Sequence, residues 1–110
     1  MSLLQYTVGV TKFDRHGYKA RERMLVITDS AIYVLDAKDG KVKHRLPFNV
    51  IINITITKGA DSLLLIRIPE EMKKEKGDVI LECKFLIEAL TWILDSSKNQ
   101  QLVRIEDSNS

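Results

Sequence analysis

Short stretches in which apolar and polar residues alternate run through most of the chain, and turn-forming residues separate them. Alternation with a period of two is typical of β-strands, because successive side chains point to opposite faces of a sheet. Alternation, or a short apolar run bounded by turn residues, predicts strands over seven segments: Tyr6 to Phe13, Tyr18 to Thr28, Ala31 to Ala37, Lys41 to Phe48, Val50 to Thr57, Leu63 to Ile68 and Val79 to Cys83. In the fifth segment isoleucines alternate with Asn and Thr, which predicts one buried face and one solvated face.

The period changes near the C-terminus. Between residues 85 and 98 apolar side chains recur at helical spacing, at Leu86, Leu90, Ile93 and Leu94. This spacing predicts one amphipathic helix, in which Trp92 packs over an open end of the sheet system. Beyond the helix, Leu102-Val-Arg-Ile105 is an apolar patch in a polar context, and we expect it to be loosely docked, with disorder by Asp107.

Seven short strands followed by one helix predict a mainly β fold with one C-terminal α-helix. The strands would form a small antiparallel barrel or a pair of packed sheets, and the helix would cap an open end. This is the pleckstrin-homology topology. With 110 residues the chain is long enough for one domain, and we expect residues 1–5 to be a lead, 6–98 the domain and 99–110 a polar, partly disordered tail.

Positive charge is concentrated on the second predicted strand. Alternate side chains of a strand share one face, and on this strand one face carries Lys19, Arg21, Arg23, Leu25 and Ile27. Like charges side by side on a sheet destabilise it. The pattern therefore favours an anionic ligand at this face, or else carboxylates elsewhere in the fold that pair with the cations.

The first predicted strand adds Lys12 to this group. Asp14-Arg-His-Gly17 has the residues of a turn, so the two strands are predicted to form a hairpin. A loop of two residues would pair Lys12 with Arg21, and a loop of four would pair it with Lys19. In either register Lys12 lies on the cationic face, whereas a loop with an odd number of residues would place it on the other face. On the fourth strand Lys41, Lys43 and Arg45 share one face, a second cationic row that can extend the first.

The overall net charge is only +2, but it is unevenly distributed. Residues 1–60 hold ten Lys and Arg against five Asp and Glu, and residues 61–110 hold seven against ten. The basic first part suggests an anionic partner, such as lipid headgroups or nucleic acid. Nucleic acid is the less favoured partner, because only Phe13, Tyr18 and Tyr33 are available for base stacking and Tyr33 is expected inside.

Catalysis, metal binding and nucleotide binding are not indicated. His16 and His44 have no nucleophile pattern or metal-ligand spacing beside them, and the five glycines are scattered along the chain rather than gathered in a phosphate loop. We therefore predict no catalytic residues, no metal and no cofactor. The one cysteine, Cys83, excludes an internal disulfide, fits a cytoplasmic setting and is expected to pack in the core. No apolar run approaches the length of a transmembrane helix.

Several strings resemble the tail homology domain of class I myosins. They occur in the expected order over residues 6 to 95, and they are Lys12-Phe-Asp-Arg-His-Gly-Tyr-Lys-Ala-Arg-Glu-Arg23, Leu25-Val-Ile-Thr-Asp29, Ile32-Tyr-Val-Leu-Asp36, Lys41-Val-Lys-His-Arg-Leu-Pro47 and Lys76-Gly-Asp-Val-Ile-Leu-Glu82. The resemblance implies a pleckstrin-homology-like membrane anchor of an actin motor, a peripheral protein on the inner face of membranes and associated with the cytoskeleton. It also implies that the chain is a fragment of a longer tail, whose parent protein binds actin and calmodulin-like light chains outside this chain.

The resemblance further implies that the domain binds anionic phospholipids, including phosphoinositide and phosphatidylserine. The lipid signature of the family is a lysine on the first strand and a basic-x-Arg pair on the second, which correspond here to Lys12, Arg21 and Arg23. A supporting basic surface is expected from the remaining cations of this region, Arg15, His16, Lys19, Lys41, Lys43 and Arg45.

The alternative hypothesis is a pleckstrin-homology-like module that binds a protein and no lipid, because one fold hosts many functions. That alternative gains if the signature cations pair internally with Asp14, Asp29 or Glu82.

Overall fold

The structure is a computed structural model that describes residues 5–13, 19–58, 62–69 and 78–107. Its regular elements are β1 (Tyr6–Phe13), β2 (Ala20–Ile27), β3 (Ala31–Asp36), β4 (Val42–Pro47), β5 (Asn53–Lys58), β6 (Leu63–Arg67), β7 (Val79–Glu82), α1 (Leu86–Ser97) and β8 (Val103–Asp107). The seven predicted strands and the predicted helix are confirmed. Short 3-10 turns at Phe48–Val50 and Gln100–Leu102 precede β5 and β8.

The strands form one sheet in the order β4-β3-β2-β1-β7-β6-β5-β8. The neighbours from β4 to β5 pair antiparallel, and β8 pairs parallel with β5. Buried side chains from every strand between β1 and β7 join one apolar cluster, so the sheet curves around a common core. We call the side of the sheet that faces this cluster the inner face. It includes Val8, Val10, Leu25, Ile27 and Leu81.

The helix α1 contributes Ala89, Leu90 and Ile93 to the same core. Trp92 stacks on Tyr6 with the ring centroids 5.7 Å apart, which confirms the expected packing role. Since Tyr6 lies opposite Ile27 at the start of β1, the helix covers the end of the sheet at which β1 begins and β2 ends. The other end of this hairpin carries the cationic residues.

The strand β8 was not predicted from the sequence. Residues 103–107 pair with β5 from Ile54 to Lys58, and the preceding residue Leu102 is buried in the core. The turn before it is capped locally, because the Asn99 side chain accepts a hydrogen bond from the Gln101 N–H at 3.0 Å. The expectation of a loosely docked segment here was therefore wrong for residues 102–107.

The predicted solvation of β5 was also wrong in part. Asn53 and Thr55 are buried, although both are polar, and the Thr55 hydroxyl donates a 2.8 Å hydrogen bond to the Asn53 side-chain oxygen. Ile52, just before the strand, is exposed instead. Mutual hydrogen bonding lets two polar side chains occupy a face that the sequence pattern assigned to water.

Cys83 is fully buried in the core, as its expected packing role requires, and burial raises the pKa of its thiol. Across the described residues, no helix is long and apolar enough to cross a bilayer.

Candidate functional site

The register of the first hairpin brings the three signature cations together. Lys12 lies directly opposite Arg21, as predicted for a two-residue loop, and Arg23 lies opposite Val10. Directly paired side chains stand on the same face of an antiparallel pair. Lys12 therefore continues the row of Val8 and Val10, while Arg21 and Arg23 continue the row of Leu25 and Ile27. We call Lys12, Arg21 and Arg23 the basic mouth.

The basic mouth is an extension of the core face beyond the end of the core. Along β2 the inner-facing side chains change from fully buried at Ile27 and Leu25 to half-buried at Arg23 and exposed at Arg21. On β1 Val10 is buried and Lys12 is half-buried. The cationic groups consequently stand where the inner face meets solvent, on apolar stems that the core supports.

Arg23 forms an ion pair with Asp36 on the neighbouring strand. The two residues are directly opposite in the β2–β3 register, and Arg23 Nη1 lies 3.2 Å from Asp36 Oδ2. The same Nη1 donates to the Glu22 carbonyl oxygen at 3.1 Å. Arg23 Nε is buried and has no hydrogen-bond partner within the described part of the chain.

Asp36 also holds the turn between β3 and β4. Its Oδ1 accepts hydrogen bonds from the backbone N–H groups of Lys38 at 2.7 Å and Asp39 at 3.3 Å. These backbone donors, the Lys38 N–H foremost, lower the pKa of the Asp36 carboxyl, and the charges of Arg23 and Lys43 act in the same direction. Asp36 is therefore ionised at neutral pH and puts one negative charge beside the basic mouth.

The carboxylates considered from the sequence as partners for these cations are placed differently. Glu82 lies opposite Thr11, on the outer face, and Asp29 follows the far end of β2. Asp14 lies outside the described residues. Sequence reasoning missed Asp36, although the alternation of Ile32, Val34 and Asp36 on β3 was a signal that it shares the inner face.

The predicted supporting cations fall into two groups. Lys19, which is exposed, precedes β2, and Lys41 and Lys43 lie at the turn and strand that follow Asp36, so these three lie near the mouth. Arg45 is opposite Tyr33, on the other face from Arg23 and Asp36. Arg45 takes this face from its partner Tyr33, and a register shift between Val34 and Leu35 interrupts the alternation between Arg45 and Lys41. Arg15 and His16 lie outside the described residues. His44 lies opposite Val34 and is half-buried on the inner face.

Tyr6 and Glu88 meet at the helix end of the molecule, away from the basic mouth. The Tyr6 hydroxyl donates to Glu88 Oε2 at 3.3 Å. Partial burial raises the pKa of Tyr6, and the Glu88 charge adds to the effect. This contact joins the start of β1 to the first turn of α1 and thus fixes the helix over the end opposite the site.

Known structures with the same architecture include pleckstrin-homology domains. The N-terminal pleckstrin-homology domain of human ARAP2 matches with a TM-score of 0.62 at 14% identity, over 89% of this chain and 83% of that one. The DH/PH fragment of PDZRHOGEF in complex with human RhoA gives a TM-score of 0.65 at 12% identity, over 86% of this chain and 28% of that one. At these identities the likeness establishes the fold alone, and the fold is pleckstrin-homology-like.

The family follows from the sequence comparisons. Residues 3–110 match the family described as "Unconventional myosin tail, actin- and lipid-binding". Unconventional myosin IC of Drosophila melanogaster is 49% identical over 107 residues, 97% of this chain and 10% of that protein. Rat unconventional myosin-Ic is 41% identical over 80% of this chain and 8% of that protein. The chain belongs to the unconventional myosin tail family and is a class I tail homology domain, not a catalytic motor head.

The chain corresponds to only a part of each of these relatives. The chain spans about a tenth of the length of the curated myosins that it matches.

Proposed function

We propose that this domain binds anionic phospholipids, phosphoinositides among them, through the basic mouth, and that it anchors a class I unconventional myosin to membranes. The observation that carries the proposal is the β1–β2 register, in which Lys12 faces Arg21 and Arg23 follows on the same face. The lipid-binding description of the family supports it.

The three cations have complementary roles in this proposal. The planar guanidinium groups of Arg21 and Arg23 can donate two parallel hydrogen bonds to phosphate oxygens, whereas the Lys12 ammonium is a compact point charge. We therefore assign headgroup contact to these three residues. Lys19, Lys41 and Lys43 supply generic attraction to the anionic surface, and Arg45 contributes from the other face of the sheet. Arg15 and His16 keep the supporting role expected from the sequence, and His16 binds anions better when protonated.

Electrostatic attraction of this kind has a measurable scale. Each Lys or Arg near an anionic leaflet contributes roughly 1 kcal/mol to the free energy of membrane binding, so the basic mouth and its supporting lysines together contribute several kcal/mol. The general attraction weakens at physiological salt, because the Debye length is then about 8 Å. Direct hydrogen bonds between a headgroup and the mouth are less affected.

The cellular setting follows from the same proposal. The domain acts as a peripheral anchor on the inner face of membranes and connects them to the actin cytoskeleton. Actin and calmodulin-like light chains are then partners of the longer parent protein outside this chain.

The alternative is a protein-interaction module that binds no lipid. The internal pairing of Arg23 with Asp36 is the observation in its favour, because it removes part of the charge available to a ligand.

Cosedimentation with vesicles tests both functions. The domain is incubated with phosphatidylcholine vesicles and with vesicles that carry phosphatidylserine or a phosphoinositide at matched total charge, each at low and at physiological salt. We expect no binding to the neutral vesicles, binding to phosphatidylserine that salt weakens strongly, and binding to the phosphoinositide that survives physiological salt. A domain that binds none of these vesicles would support the protein-interaction alternative.

A further inference from the structure

Asp36 stands at the site as an anion that belongs to the protein itself. It contacts Arg23, a residue of the basic mouth, from the directly opposite position on β3. A phosphate that binds the same guanidinium has to share it with this carboxylate or displace it. The negative charge of this carboxylate also repels any anionic ligand that approaches the basic mouth.

The Asp36–Arg23 contact has the geometry of a displaceable pair. Charge-assisted hydrogen bonds between a guanidinium and a carboxylate are about 2.7–2.9 Å long and often bidentate. Here one nitrogen, Nη1, makes the contact at 3.2 Å and also donates to the Glu22 carbonyl oxygen. The planar fork of Arg23 therefore keeps donors with which a phosphate can form the better, bidentate arrangement.

In the domain without ligand, Arg23 has a buried donor that a ligand can satisfy. Arg23 Nε is buried and has no acceptor within the described residues. A desolvated donor without a partner is unfavourable. A guanidinium that turns away from Asp36 towards a bound phosphate can bring Nε to an acceptor.

Asp36 can release Arg23 without loss of its structural role. Its Oδ1 holds the β3–β4 turn through the N–H groups of Lys38 and Asp39, whereas its Oδ2 contacts Arg23. The two tasks use different atoms, so displacement at Oδ2 leaves the turn intact.

We propose that Asp36 is an internal competitor for the phosphate site, a carboxylate that holds Arg23 in position in the free domain and lowers the affinity of the basic mouth for a phosphoinositide headgroup. This inference rests on the proposed lipid-binding function. It makes Asp36 a positioning residue whose charge tunes headgroup affinity, and it predicts that removal of the charge strengthens binding.

The test compares Asp36→Asn with Asp39→Asn. Both variants remove one negative charge from the same turn. In each, the asparagine oxygen can still accept the backbone hydrogen bond that the carboxylate accepted, from the Lys38 N–H at position 36 and from the Lys41 N–H at position 39. Of the two aspartates, only Asp36 contacts Arg23. Vesicle binding is measured at physiological salt, with phosphatidylserine and with phosphoinositide vesicles, after thermal unfolding has shown that both variants fold.

On phosphatidylserine vesicles we expect the two variants to gain affinity equally, because general attraction to an anionic surface depends on net charge and not on a headgroup contact with Arg23. On phosphoinositide vesicles we expect Asp36→Asn to bind roughly two- to fivefold more tightly than Asp39→Asn, the range expected when a partly exposed ion pair no longer competes. Equal affinities on phosphoinositide vesicles would overturn the inference and leave the lipid-binding function standing. A wild-type domain that binds no anionic vesicle would overturn both.

A second measurement uses the wild-type domain, so that it does not depend on the folding of a variant. Inositol 1,4,5-trisphosphate is titrated into labelled protein while the Arg23 Nε–H resonance and the backbone amides of Lys38 and Asp39 are followed by NMR. We expect the Arg23 signal to move and the two turn amides to stay. An unchanged Arg23 signal at saturation, or loss of the turn amides together with it, would contradict the displacement step.

Discussion

The double variant Lys12→Gln/Arg21→Gln is expected to bind phosphoinositide vesicles at least about tenfold more weakly than the wild-type domain, since each basic residue near an anionic surface contributes roughly 1 kcal/mol and 1.4 kcal/mol is a factor of ten. The two side chains are directly opposite each other in the β1–β2 register, so the change removes the centre of the basic mouth. Arg23 is left in place, because its removal would also leave Asp36 without its ion-pair partner.

Glutamine preserves much of the aliphatic stem of each side chain, which limits the effect on packing at the half-buried Lys12. The loss of binding is measured by cosedimentation, and circular dichroism verifies the fold. The matched control is Lys84→Gln/Arg104→Gln, which removes the same net charge from two exposed positions outside the mouth. We expect the control to lose little affinity. Equal losses in both variants would show that total charge, and not the mouth, drives binding.

Leu102→Ala is expected to lower the free energy of unfolding by about 2 to 4 kcal/mol, the usual effect of truncating a buried leucine. Leu102 is 4% exposed and belongs to the same core cluster as Ile54 of β5 and Ile93 of α1. It immediately precedes β8, so its burial fixes the position at which that strand joins β5. The prediction is checked by urea denaturation.

The control for Leu102 lies three residues further along. Ile105→Ala removes a side chain that is 67% exposed on β8, and we expect a change below about 0.5 kcal/mol. A loss of stability for Leu102→Ala as small as that for Ile105→Ala would contradict the stabilising role assigned to the buried Leu102 side chain.

Most of the fold could be predicted because its pattern is local. Each strand from β1 to β7 is marked within its own length, by alternation or by a short apolar run between turns, and the change of period at residue 86 marks α1. The missed strand, β8, is different. Val103 pairs in parallel with Ile54, a residue far away in the chain. Nothing in the short apolar patch around Val103 predicts that β5 is the strand with which it pairs. Parallel pairing between strands far apart in the chain depends on how the whole sheet is arranged, which a local sequence pattern does not report.

The candidate site shows the same division. The parity of β1 and β2 grouped Lys12 with Arg21 and Arg23 for any loop with an even number of residues, and the observed register satisfies that condition. The Asp36 contact needed the register between β2 and β3, which no local pattern provides. The face of Arg45 depended on the pairing of β4 with β3, in which it lies opposite Tyr33, and the register shift beyond that pair breaks the single row predicted for Lys41, Lys43 and Arg45.

The central claim is that a phosphoinositide headgroup binds at the basic mouth, and an NMR titration of the wild-type domain with inositol 1,4,5-trisphosphate at physiological salt tests it most directly. We expect saturable changes in the amide signals of Lys12, Arg21 and Arg23, with little change at Ile93 and Leu102 on the helix side. Saturable changes confined to the helix side, or no change at any concentration of the headgroup, would contradict it.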